Sequence, residues 1–199
     1  MAFSKKVGFN ISNIFVIDGS KRSTKANAYF TGFGSRKRIV LYDTLIKKLD
    51  SDEIVAVLAH EIGHYKNRHT VYNMIIFGLT SCIILYVFSL VIDNPLLSEL
   101  LNVSQPSFHI GIIIFSILYS PLSMITNFII NYLSRIFEYQ ADNFAKEKLG
   151  ENTLISSLKK LSRDSLSNLT PHPLYVFLHY SHPTLLERVK NLKKETLRK

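Results

Sequence analysis

The hydrophobic pattern of this chain changes period from segment to segment, and each change marks an element. Within residues 11–42, Phe15-Val16-Ile17 reads as a strand closed by the turn residues Asp18-Gly19-Ser20. Asn27 to Phe33 is rich in aromatic and β-favouring residues, and Arg38 to Tyr42 is a second such run. The basic turn Gly34–Arg38 between them predicts a β-hairpin, its tip either solvated or facing a membrane. Asp43-Thr44 opens a short helical segment, Leu45 to Leu49. Over residues 50–69 the period becomes that of a helix: Ile54, Val55, Val57, Leu58 and Ile62 share a face, and Asp50 or Ser51 can cap the start. Residues 131–149 repeat that spacing through Tyr132, Leu133, Ile136, Phe137, Phe144 and Ala145, with Gly150 as the stop. The C-terminal region, 151–199, reads as a basic helix from Asn152 to Arg163, a Ser/Asn/Pro-rich loop to Pro173 and an aromatic stretch from Leu174 to Tyr180. A last helix has Pro183 in its first turn, with Ser181 or His182 near its cap, and the tail after Val189 is basic and expected to be solvated.

Between these amphipathic segments lie two runs with no period at all. Residues 71–92 are 22 residues without a charge, and residues 108–130 are 23 without Lys, Arg, Asp or Glu. About 20 apolar residues suffice for a helix to cross a bilayer core. Pro121 falls inside the second run and is a candidate kink, which membrane helices tolerate. The two runs predict a transmembrane hairpin joined by a loop over residues 93–107.

Charge sharpens that reading. The chain carries a formal +9 and is 47% hydrophobic. All 24 Lys and Arg fall within residues 1–70 and 131–199, and none within 71–130. The positive-inside rule then puts both flanks on the cytoplasmic side of one membrane, a bacterial inner membrane or the endoplasmic reticulum. No basic helix with interleaved aromatics stands out, so nucleic acid is not the expected partner. The first residues lack a signal-peptide core. The lone cysteine, Cys82, lies in the first apolar run, where packing is its expected role.

The candidate chemistry sits on the 50–69 helix. His60-Glu61-Ile62-Gly63-His64 is an HExxH motif. Histidines four apart on a helix share a face and can reach one metal ion, with Glu61 beside it as general base. Glu138 and Asp142, also four apart, lie among apolar residues on the 131–149 helix. Two acids so flanked are unexpected on a purely structural helix, a solvated acidic stripe being the alternative. Beside HExxH, Glu138 becomes the expected third ligand and Asp142 the acceptor that fixes the tautomer of a ligand histidine. His69, five residues beyond His64, is expected to face away from the metal, and His109 is expected to be a boundary residue.

Four stretches, KANAYFTGFGSRKRIVLYDTLI, HEIGH, SRIFEYQADNFA and SHPTLLERV, together resemble the type I CAAX prenyl proteases, integral-membrane zinc endopeptidases of the gluzincin group. The resemblance covers nearly the whole chain and corresponds to the C-terminal half of such a protein. It implies a mostly α fold with a small β-sheet, in which a zincin-like core carries a transmembrane hairpin within one membrane-embedded domain, residues 1–199. It implies one Zn2+ on His60, His64 and Glu138, with Glu61 as base. His182 would stabilise the oxyanion, Arg188 would support the carboxylates of the zinc site, and Asn27 and Ala28 on an edge strand would hold the substrate backbone. The implied partners are the lipid bilayer and a peptide or protein substrate, prenylated in this family. Two alternatives stay open at this level: a membrane quality-control protease of the HtpX type, and an inactive or incomplete fragment that needs a further N-terminal half.

Overall fold

The structure, a computed structural model, describes residues 13–31, 38–92, 94–103 and 105–194. Three short strands, β1 (Asn13–Ile17), β2 (Ala28–Thr31) and β3 (Arg38–Tyr42), form one sheet in the order β1-β3-β2. β2 and β3 pair antiparallel, as the hairpin reading requires, whereas β1 lies parallel to β3. The expected turn lies mostly at residues 32–37, outside the described residues. β2 is an edge strand of this sheet, and that matters for the site. Ile39 and Leu41 of β3 pack with Ala28 onto Leu45, Leu49 and Val57, so the sheet rests on the helices that follow it.

Helix α1 (Asp43–Lys48) leads into α2 (Ser51–Lys66), the HExxH helix. Asp50 is its cap, in a reciprocal capping box with Glu53. Glu53 also accepts from Ser156 and Lys160 of α6 (Glu151–Asp164), which ties the start of α2 to the C-terminal region. α2 ends three residues earlier than the sequence pattern suggests. Asn67 caps it, and Arg68 takes a left-handed conformation (φ 58°, ψ 28°) that breaks the helix before α3 (His69–Val91).

α3 and α5 (Phe108–Leu149) are long and apolar enough to cross a membrane. Only 6% and 11% of their most apolar windows are buried within the chain, so large side chains such as Phe77, Leu85 and Ile117 face outward. A surface like that is at home in lipid and costly in water. The two helices cross closely where Gly111 meets Ile92, leaving no room for a Cβ. The short helix α4 (Pro95–Glu99), capped by Asn94, occupies part of the expected loop.

Three expectations of the sequence pattern are corrected here. The second span and the 131–149 helix are one continuous helix of 42 residues. No glycine or proline stands near residue 130, so hydrogen bonding simply continues. At about 1.5 Å per residue, α5 is roughly 63 Å long, about twice a bilayer core, so a membrane would take only its apolar first half and leave the second half projecting. Pro121 is accommodated without ending it. Second, Thr184, rather than Ser181 or His182, caps the last helix, α8 (Leu185–Lys193), through a capping box with Glu187; Pro183 precedes the cap. Third, the chain after Val189 is not simply solvated: α8 runs on to Lys193, and Leu192 is fully buried with Ala56, Ala59, Ala145, Leu154, Ile155 and Leu158. This core joins α2, the projecting half of α5, α6 and α8. α7 (Pro173–His179) completes the fold along α5.

Candidate metal centre

His60 and His64 stand on one face of α2, and Glu138 comes from the projecting half of α5. The two helices approach closely because Gly63 lies against Ala141, where a Cβ would fall 2.9 Å from the Ala141 Cα. The Nε2 atoms of His60 and His64 are 3.2 Å apart. Glu138 places Oε2 at 3.6 Å from the first and Oε1 at 3.4 Å from the second. In a tetrahedral zinc site with bonds of about 2.0–2.1 Å, ligand atoms stand about 3.3 Å apart. The separations are near that value, each histidine standing close to a different oxygen of Glu138, and the group could hold a metal ion.

The far sides of the two rings make the case on chemistry as well as distance. His60 Nδ1 lies 2.9 Å from Asp142 Oδ1 and donates to it. His64 Nδ1 lies 2.9 Å from His69 Nδ1. With both protons on Nδ1, the two Nε2 atoms present lone pairs to each other and to an anionic carboxylate. That arrangement is repulsive by itself and favourable around a cation. The donor set, two imidazoles and a carboxylate, suits zinc.

Arg188 closes the acidic side. Its Nε donates to Asp142 Oδ2 at 2.9 Å and its Nη2 to Asp142 Oδ1 at 2.6 Å, while Nη1 is 3.5 Å from Glu138 Oε2. Asp142 is fully inaccessible. His182 is exposed and reaches Glu138 Oε1 with Nδ1 at 3.1 Å; that hydrogen bond raises its pKa above the ordinary histidine value. Burial raises the Glu61 carboxyl above its ordinary value, opposed by the neighbouring His60 and His64. A bound dication would pull it down again.

A cavity of about 460 Å³ joins these residues to the sheet. His60, Glu61, His64, Glu138, His182 and Arg188 line it together with Ala26 to Tyr29 on and before edge strand β2. All nine residues singled out from the sequence thus lie in or directly against one site: eight line the cavity, and Asp142 touches it through His60 and Arg188.

The sequence model of peptidase family M48 matches residues 1–196. The chain belongs to peptidase family M48. This M48 chain is 44% identical over 198 residues to the CAAX prenyl protease 1 homolog of Dictyostelium discoideum, an alignment covering 98% of the chain and 46% of that relative. It is 42% identical to CAAX prenyl protease 1 of Saccharomyces cerevisiae, covering 96% and 46%. The crystal structure of S. mikatae Ste24p superposes with a TM-score of 0.86 at 40% identity, covering 97% of this chain and 48% of that one. The chain spans about half the length of the curated relatives it matches.

Two features of the M48 centre escaped the sequence reading. His69 does not face away. In an unbroken helix it would lie about 140° from His64. The left-handed Arg68 turns the chain so that His69 comes back onto His64, where it also stacks on Phe137 and meets Gln140. The other is Arg135, a buried cation whose guanidinium donates to the Val176, Phe177 and Tyr180 carbonyls at the end of α7, just ahead of His182. An arginine set among apolar residues on the 131–149 helix was a legible signal that it had buried acceptors to meet. Neither His109 nor Cys82 belongs to the site.

Proposed function

We propose that this chain carries the catalytic centre of a membrane-bound zinc metalloendopeptidase of the CAAX prenyl-protein processing type. The observation that carries the reading is the convergence of His60, His64, Glu61 and Glu138 on a cavity walled by an edge strand. The names of the relatives supply the substrate class, a prenylated protein. The charge distribution supports a cytoplasmic face for the site.

In this reading zinc, when bound by His60, His64 and Glu138, supplies a Lewis acid that polarises the scissile carbonyl and makes water acidic near neutral pH. Glu61 takes the proton released by the attacking water and returns it to the leaving amine as the C–N bond breaks. His182, whose pKa the Glu138 hydrogen bond raises, donates to the developing oxyanion. Asn27 and Ala28 hold the substrate extended as an added strand on β2, whose outer edge has no strand beside it among the described residues. Asp142 and Arg188 keep His60 in the tautomer that presents Nε2 inward.

The test is metal content and peptidase activity of the detergent-purified chain beside Glu61→Gln. Stoichiometric zinc in both, with cleavage down about 10²–10⁴-fold in the variant, is expected. A prenylated peptide should be cut in preference to its unprenylated form and to casein. Zinc without cleavage by the parent would sink the claim that this chain hydrolyses peptides by itself. Equal cleavage of all three substrates would sink the substrate class.

A further inference from the structure

The two histidines of the centre are held by unlike partners. His60 leans on a buried carboxylate, the ordinary arrangement for a metal-bound imidazole. His64 leans on another histidine. Its Nδ1 is 2.9 Å from His69 Nδ1, and His69 Nε2 is 2.8 Å from Gln140 Oε1. His69 is 2% exposed and its ring stacks on Phe137 at 4.4 Å between centroids with 14° between planes.

Proton placement along this row has two polarities. Two ring nitrogens at hydrogen-bond distance share one proton. If Gln140 Oε1 accepts from His69 Nε2–H, then His69 Nδ1 is bare and accepts from His64 Nδ1–H, which leaves the His64 Nε2 lone pair on the ligand face. The reverse polarity turns the amide NH2 toward His69 and puts a proton on His64 Nε2, where it blocks coordination. We propose that His69, oriented by Gln140 and Phe137, is the positioning residue that selects the metal-binding tautomer of His64. The Arg68 turn exists in this arrangement to deliver that ring: without the left-handed residue, His69 would point elsewhere. The inference rests on the metal-centre reading above.

The experiment measures zinc affinity in chelator-buffered solutions for the parent, His69→Leu and His69→Asn in detergent, with the unfolding midpoint of each metal-stripped form. Asn can set its Oδ1 where His69 Nδ1 stands, whereas Leu has no acceptor. Loss of a hydrogen-bond partner to a ligand histidine costs about 10–100-fold in affinity. The expected result is a loss of that size for His69→Leu, recovery to within about threefold of the parent for His69→Asn, and little difference between the metal-free midpoints. A parent that binds no zinc overturns the metal-centre reading and this inference with it. A parent that binds zinc and a His69→Leu variant that binds it equally well overturn this inference alone. Equal losses in both variants, tracking a fall in the metal-free midpoint, mean that His69 only supports the fold, and overturn it too. Should His69→Leu not fold, ¹⁵N-histidine spectra of the zinc-loaded parent decide. A bare Nδ1 on His69 with a protonated Nδ1 on His64 upholds the proposal, and a protonated Nδ1 on His69 ends it.

Discussion

Arg188→Met tests the electrostatic logic of the site most directly. Arg188 grips Asp142 with two parallel hydrogen bonds, 2.9 and 2.6 Å long, and Asp142 has no access to solvent. Methionine keeps much of the aliphatic stem, so packing changes little while the guanidinium is lost. Asp142 is then a buried carboxylate facing a single imidazole N–H, and Glu138 loses a cation 3.5 Å away. Breaking one partner out of a buried ion pair costs about 3–5 kcal/mol. In a chain of this size that is a fall of about 6–20 °C in the unfolding midpoint. The measurement is thermal unfolding in detergent by circular dichroism, with metal stripped so that its binding does not enter. Arg188→Met/Asp142→Asn should be more stable than the two single losses added together, by about 0.5–3 kcal/mol, because the second change removes the charge that the first one stranded. A single variant within about 1 kcal/mol of the parent, or strict additivity in the pair, would refute the reasoning.

Other consequences follow from the same geometry. Gly63→Ala should lower stability by about 1–3 kcal/mol, since its Cβ would meet the backbone of Ala141 and push apart the helices that carry His60, His64 and Glu138; zinc affinity should fall with it, and unchanged values for both would contradict the contact. Arg135→Met should slow cleavage while sparing zinc affinity, because the chain leading to His182 loses the anchor that satisfies three carbonyls at the end of α7 and its cap; steady-state kinetics beside a zinc titration separates the two. Burial pushes the Glu53 carboxyl up, but its bonds from Lys160 and Ser156 outweigh that and leave it below the ordinary glutamate value. A depressed carboxylate gives stability that is present above its unfolded pKa, about 4.3, and lost as pH falls through the folded value. Below about pH 5 the parent should therefore lose stability more steeply than Glu53→Gln, and parallel midpoint-against-pH curves would count against it. Chelation should lower the midpoint of the zinc-loaded chain by an amount that grows with free zinc, about 2.7 kcal/mol at a hundredfold excess over the dissociation constant; a midpoint indifferent to zinc would argue that the native state does not bind it.

Local patterns in the sequence carried the elements and most of the site. HExxH needs only helical periodicity to bring its two histidines together, so the spacing was enough. The two charge-free runs needed only their length to be legible as long apolar helices. Glu138 and Asp142 stood out because acids among apolar residues must have partners. The hairpin of β2 and β3 followed from two β-favouring runs around a basic turn, while the parallel partnership of β1 with β3 did not, since parallel pairing is set by a connection that no local signal encodes. The Thr184/Glu187 capping box is written in Thr-Leu-Leu-Glu, directly after the more conspicuous Pro183.

By itself, then, the sequence determined which residue types stand at helical and strand spacing, and hence the motif, the two apolar helices and the acids that match them. Only the tertiary structure decided how those pieces meet. Gly63 against Ala141 sets the distance between the helices that carry His60, His64 and Glu138, and Arg188 reaches Asp142 across 46 positions of sequence. His69 returns to His64 through one left-handed residue, Arg68, whose conformation no propensity foretells. The physical reason is the same in each case. Periodicity fixes directions within one element, whereas a ligand's partner is chosen by contact between elements, where close packing and the need to satisfy every buried polar group select one arrangement.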